Sequence, residues 1–126
     1  MKKTIVALMM IGSASFAGSQ KVDLLCQQDE GDHWYEVGVS LVDGGGAVNA
    51  KVVEHTDDDK AKLVYNRNVS FERSAKREVY SNSTLRLVVF NSTSAKPTAL
   101  FSLLKDGPGS VSKLKMRCYK YQLLKY

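Results

Sequence analysis

Residues 113–119, Lys-Leu-Lys-Met-Arg-Cys-Tyr, alternate between a charged or aromatic side chain and an apolar one. Successive side chains of a β-strand point to opposite faces, so Leu114, Met116 and Cys118 share one face and Lys113, Lys115, Arg117 and Tyr119 the other. Near the opposite end of the chain, Val22-Asp23-Leu24-Leu25-Cys26 places Val22, Leu24 and Cys26 on a common face. Each segment thus ends an inward-facing run with a cysteine as its third member. A Cys26–Cys118 disulfide would staple the first strand to the last, as expected of a small meander that closes on itself. Closure also removes the two sheet edges that invite aggregation. The sequence therefore predicts an all-β fold: a small antiparallel meander barrel of seven or eight strands, stapled by one terminal disulfide. A two-sheet β-sandwich is the alternative.

The intervening chain reads as short strands punctuated by turn chemistry. Trp34 to Val42 has Tyr35, Val37, Val39 and Leu41 alternating inward, and Asp43-Gly44-Gly45-Gly46 supplies a hairpin connection to Ala47–His55. There Val48, Ala50 and Val52 form the inner face, and Thr56–Lys60 is a polar stretch that a Thr56 cap suits to a short helical turn. Leu63, Tyr65, Val69 and Phe71 fit a further strand, with Arg67 as the misfit on its inward face. Glu78–Tyr80 is a short strand or lead-in, followed by strands at Leu85–Phe90 and Thr98–Leu104. Lys105–Gly109 reads as a turn, and the last strand runs from Val111 to about Gln122. In LRLVVF and TALFSLL both faces are apolar, so either the chain covers the second face or a partner does.

The N-terminus has the parts of a secretory leader: Lys2 and Lys3, the apolar run Thr4–Gly12, and small residues at Ser15 and Ala17 before Gly18. The run is too short to span ~30 Å of hydrocarbon as a helix. Residues 1–17 are thus expected to be a cleaved signal peptide, leaving 18–126 as a single small β domain, secreted or periplasmic. An oxidising compartment suits an even cysteine count. The mature chain would keep 16 of the 18 Lys and Arg and all 13 acids, a net charge of +3. The charge is segregated: residues 18–59 carry two Lys against ten acids, and residues 60–126 carry fourteen Lys and Arg against three acids. Such asymmetry either builds a basic face or cancels across paired strands.

Several constellations bear on chemistry. Lys113, Lys115, Arg117, Tyr119 and Tyr121 lie two residues apart and form the candidate binding row, suited to an acidic protein or polysaccharide. The export signal argues against nucleic acid as the natural partner. His33 and His55 each stand among acids, the ingredients of a small secreted hydrolase of ribonuclease type. Asp57-Asp58-Asp59 lacks the alternate spacing of a calcium loop, and the cysteines lack the spacing of a metal site, so no metal or cofactor is implied. Three Asn-x-Ser/Thr triplets, at Asn68, Asn82 and Asn91, read as turn composition under a bacterial-looking leader.

The placement of the two cysteines resembles that of small β-barrels exported by bacteria, lysozyme inhibitors among them. That resemblance implies a closed barrel with a binding role. The Ser-Gly-x-x-Tyr type of loop is absent, so the resemblance carries over no site residue. The expected function is an exported, non-enzymatic binding module, an inhibitor or an envelope-associated interaction protein.

Overall fold

The structure is a computed structural model and describes residues 18–29, 32–41, 47–56, 60–104 and 110–126. The predicted signal peptide, the Asp43–Gly46 connection, the Asp57–Asp59 run and the Lys105–Gly109 turn lie outside the described residues.

Eight strands follow one another: β1 Ser19–Gln27, β2 Trp34–Leu41, β3 Val48–His55, β4 Ala61–Arg73, β5 Arg77–Ser81, β6 Leu85–Phe90, β7 Thr98–Leu103 and β8 Val111–Lys125. Each pairs antiparallel with its neighbour in sequence, and β1 pairs with β8, so the sheet closes into a single barrel. The sandwich alternative is excluded. Closure is tightest where the sequence pattern placed it. Cys26 faces Cys118 in register, their sulfurs are bonded, and both side chains are buried. The strands are steeply staggered. Arg117, for example, pairs with Thr98 at the start of β7 on one side and with Gln27 at the end of β1 on the other. In a barrel of this size the interior is just wide enough for side chains to fill it. The fill here is Tyr35, Val37, Val39, Val48, Ala50, Val52, Leu85, Leu87, Val89, Phe101, Met116 and their neighbours.

Period-two reading fails at three places, each with a local cause. Val22 was expected beside Leu24 and Cys26, but it joins Leu25, Val53 and Leu124 in a second apolar cluster. The β1–β8 ribbon changes face at Asp23 and Tyr121, where Tyr121 takes a left-handed backbone with φ 57°. Beyond that point the ribbon crosses the outer side of β2 at Gly38. A Cβ on Gly38 would lie 2.9 Å from Val22 and 3.0 Å from Leu124, so glycine is what permits the approach. The ribbon's ends are closed by reciprocal hydrogen bonds between the backbones of Gly18 and Tyr126.

Leu63 is the second departure. The β3–β4 register shifts between Val52 and Val53, leaving Val64 as an extra residue on β4. A bulge of one residue moves every side chain beyond it to the other face. Leu63 therefore packs with the outer cluster while Val64 and Tyr65 pack on the main core. Arg67 is exposed, with its guanidinium 5.9 Å above the Tyr65 ring. The third departure is at the barrel's end, where Leu41, the last residue of β2, is 68% exposed and Phe71 on β4, also expected inward, is 39% exposed. Strand β8 also runs three residues beyond its expected end, because its C-terminal third pairs with Ser19–Val22.

Of the three Asn-x-Ser/Thr triplets, the one at Asn82 has a structural task. Its Oδ1 accepts from the backbone N–H of Thr84 and Leu85, closing the β5–β6 turn, while its Nδ2 donates to the Tyr65 hydroxyl.

Candidate binding face

The residues of β8 from Leu114 to Cys118 keep strict alternation, with Met116 and Cys118 buried and Lys115 and Arg117 exposed. Lys113 and Tyr121 flank this regular stretch, and both have left-handed backbones (φ 53° and 57°). At Lys113 the β7–β8 register shifts, and the Lys113 N–H donates to the Ser102 hydroxyl instead of to a ladder carbonyl. All five members of the predicted row are exposed: Lys113, Lys115, Arg117, Tyr119 at 42% and Tyr121 at 69%. The perfect two-residue repeat survives only over Lys115, Arg117 and Tyr119.

The barrel's register extends the row into a surface. Lys115 pairs with Leu100, Leu100 with Val88, and Val88 with Val79, all facing outward. The next outward line runs Arg117, Thr98, Phe90, Arg77. A third brings Arg86 opposite Ser102. The result is an apolar floor of Val79, Val88, Phe90 and Leu100 framed by Lys113, Lys115, Arg117, Arg77 and Arg86. Val79 and Val88 are buried, Phe90 and Leu100 are half-buried, and the five cations are exposed. With adjacent strands ~4.8 Å apart, Arg77 and Arg117 stand about 14 Å from each other across the face. A cavity of about 470 Å³ opens at the β7–β8 side of this face, lined by Phe90, Leu100, Lys115, Arg117, Gln27 and Asp29 among others, and Arg77 stands outside its lining. This lies within the ~300–1,000 Å³ range of ligand pockets.

The two-faced strands are explained by this arrangement. On the outer face of Leu85–Phe90 and Thr98–Leu103, Val88 is buried and Phe90 and Leu100 are half-buried, all three within the basic frame. Arg77 and Arg86 were not singled out in the sequence, since nothing in a linear reading ties β5 and β6 to β8. The doubly apolar strands were the available signal.

Among the described residues, the acids of the first half do not cancel this face. Arg117 pairs with Asp29 at 3.5 Å, but both side chains are largely exposed, and such pairs are worth ~0–1 kcal/mol. Among the described residues Lys113 and Lys115 make no ion pair. Three of the described acids are engaged locally instead. Glu36 lies 2.5 Å from His55, Glu54 lies 2.6 Å from His33 and accepts from the Tyr35 hydroxyl, and Asp23 accepts from the Leu41 N–H.

The histidines thus occupy opposite faces of the β2–β3 pair. His33 meets Glu54 on the side of Tyr35, whose ring belongs to the core. His55 meets the buried Glu36 on the other side and stacks on Trp34, with ring centroids 3.8 Å apart. Burial, followed by the negative charge of Glu54 and its hydrogen bond, raises the Tyr35 phenol above its ordinary pKa. Each imidazole has the orienting carboxylate of a base–carboxylate pair. The two histidines do not converge on one site, and neither lines the cavity on the β8 flank. Among the described residues no group of three or more His, Cys, Asp and Glu side chains is placed to hold a metal ion.

No family model matches this chain, and neither curated proteins nor solved structures give a match.

Proposed function

We propose that this chain is an exported, non-enzymatic binding module that holds an acidic partner against the β5–β8 flank of its barrel. The observation that carries this reading is the frame of five exposed cations around an apolar floor on which Phe90 and Leu100 are half-buried. Exposed charges act together over a Debye length of ~8 Å at physiological salt, and period-two neighbours on β8 are about 6–7 Å apart. Cations at that spacing attract an acidic protein or polysaccharide as a unit, and the apolar floor adds area that water gives up on contact. The Cys26–Cys118 disulfide supports placement in an oxidising compartment, as does the leader that would be removed before Gly18.

Charge reversal is the direct test, with immobilised heparin and poly-glutamate as acidic probes. Lys115→Glu with Arg117→Glu is expected to abolish retention at low salt and to slow association, leaving thermal stability nearly unchanged. Lys62→Glu with Arg67→Glu changes net charge equally on the exposed part of β4 and serves as the control. Equal loss in both double variants would reduce the face to bulk charge.

A second reading, a small hydrolase of ribonuclease type, draws on the pairing of His33 with Glu54 and of His55 with Glu36. On that reading His33→Ala or His55→Ala would lower phosphodiester cleavage by the ~10²–10⁴-fold expected for loss of a general base. The binding reading expects no cleavage by the unsubstituted protein above a buffer blank.

A further inference from the structure

A second concave site lies at the end of the barrel where β2 stops and β3 begins, and it shares no residue with the β8 flank. Leu24, Val39 and Val48 form its floor, Tyr80 a wall, and Leu41 and Phe71 its rim, around a cavity of about 170 Å³. The inward row of β2 is buried at Tyr35, Val37 and Val39, and then ends on a leucine that is 68% exposed. Phe71, next to the end of β4, is 39% exposed, with its ring 4.9 Å from that of Tyr80. Two large apolar side chains therefore stand open at the lip of an apolar hollow, whereas Leu24, Leu85, Leu87 and Leu103 of the inward face are buried.

Size limits what enters. The cavity is smaller than the ~300 Å³ at which drug-sized pockets begin, yet comparable to a ~150 Å³ apolar cavity that accepts benzene. Charge limits it further. Arg73 Nε and Nη2 both donate to Glu78 Oε2, at 2.9 and 2.6 Å, and the Tyr80 hydroxyl donates to Glu78 Oε1. The guanidinium is thus matched by the buried Glu78 carboxylate. Asp23, also in the lining, adds a second negative charge and accepts from the Leu41 N–H at 2.8 Å. Two carboxylates against one guanidinium repel an anion. Burial and the nearby carboxylate of Glu78 raise the Tyr80 phenol, so this wall stays neutral across the physiological range.

We infer that this mouth is a binding site for a small, ring-sized apolar molecule that is uncharged or cationic. The exposed lip closes over the ring, and the apolar area that Leu41 and Phe71 now leave in water becomes buried.

Methyl-resolved NMR of the disulfide-bonded domain, titrated separately with phenol, benzylamine and benzoate, tests the assignment. Phenol and benzylamine are expected to shift the Leu24, Val39, Leu41 and Val48 methyls saturably, and benzoate to bind at least about tenfold more weakly. Val48→Phe fills the hollow and should remove the response. Because Val48 is a core residue, Leu41→Ser at the exposed rim is the second variant, expected to weaken binding while leaving the other methyl positions in place. Shifts that are linear and scattered over the surface, or unchanged in both variants, would overturn the site. Benzoate binding as tightly as benzylamine would overturn its charge preference.

Discussion

Replacing both cysteines, Cys26→Ala with Cys118→Ala, is expected to lower the melting temperature by about 20 °C. The bond joins residues separated by 92 positions. Closing so long a loop removes about 4–5 kcal/mol of conformational freedom from the unfolded chain in the entropy model. That is a large part of a typical ~5–15 kcal/mol domain stability. Both cysteines are buried in the main cluster, so alanine at each also removes a packed sulfur. The native state has a further dependence on this bond, which lies on the β1–β8 seam. That seam also carries the terminal ribbon, with Val22 and Leu124 packed over Gly38. The measurement is a circular-dichroism melt of the double variant beside the unsubstituted, disulfide-bonded protein. The native sample should contain no titratable thiol. A fall of less than about 5 °C would mean that the closed sheet holds the seam without the staple.

Phe101→Ala is the second large effect, expected to cost about 3–5 kcal/mol. Among the described residues Phe101 is the largest fully buried side chain. It pairs with Leu87 on β6 and Leu114 on β8, and its ring lies 6.3 Å from that of Tyr35 on β2. It therefore spans the interior and touches the far wall of the barrel. An eight-stranded wall held by a continuous hydrogen-bond ladder cannot collapse inward to fill the space that alanine leaves. Most of the cavity cost should therefore persist. Urea unfolding should show a reduced midpoint with little change in slope. A loss below about 1 kcal/mol would show that the interior repacks, contrary to a rigid closed ladder.

The two losses should be nearly additive if the seam and the interior are independent. They share the main core cluster, however, because Cys26 and Cys118 line it. Coupling of ~0.5 kcal/mol or more in the triple variant would report contact between the staple and the ring. Neither change touches Lys115 or Arg117 directly. The effect of charge reversal on acidic-probe binding is thus separable from stability.

Much of this architecture was legible in the chain because it rests on alternation. Tyr35, Val37 and Val39 on β2, Val48, Ala50 and Val52 on β3, and Leu85, Leu87 and Val89 on β6 all face the interior as period two requires. The Cys26–Cys118 pairing was legible for the same reason: each cysteine closes an inward run, and a closed meander brings first and last strands together. The exposure of Lys115, Arg117 and Tyr119 was legible too, since each alternates with a core residue, whereas Lys113 and Tyr121 are exposed beside breaks in that alternation.

What alternation could not supply was every event that resets its phase. Leu63 changed face because one extra residue at Val64 shifted the β3–β4 ladder, and a bulge has no signature in the residues that form it here. Val22 left the main core because the ribbon turns over at Asp23 and Tyr121 and finds room on Gly38, an acceptor surface that exists only once β2 is in place. The basic frame likewise depends on stagger. Arg77 and Arg86 reach the neighbourhood of Lys115 and Arg117 only through the register of three intervening ladders. The mouth cavity depends on where β2 and β4 end relative to β1 and β5. The sequence by itself determined the alternation of inward and outward residues within each uninterrupted strand and which two cysteines could staple the first strand to the last, because these follow from local side-chain direction. The choice of a closed barrel over a two-sheet sandwich came from the strand pairing. Tertiary structure alone decided which outward residues became neighbours, because register and shear are collective properties of the closed ladder and are carried by no single strand.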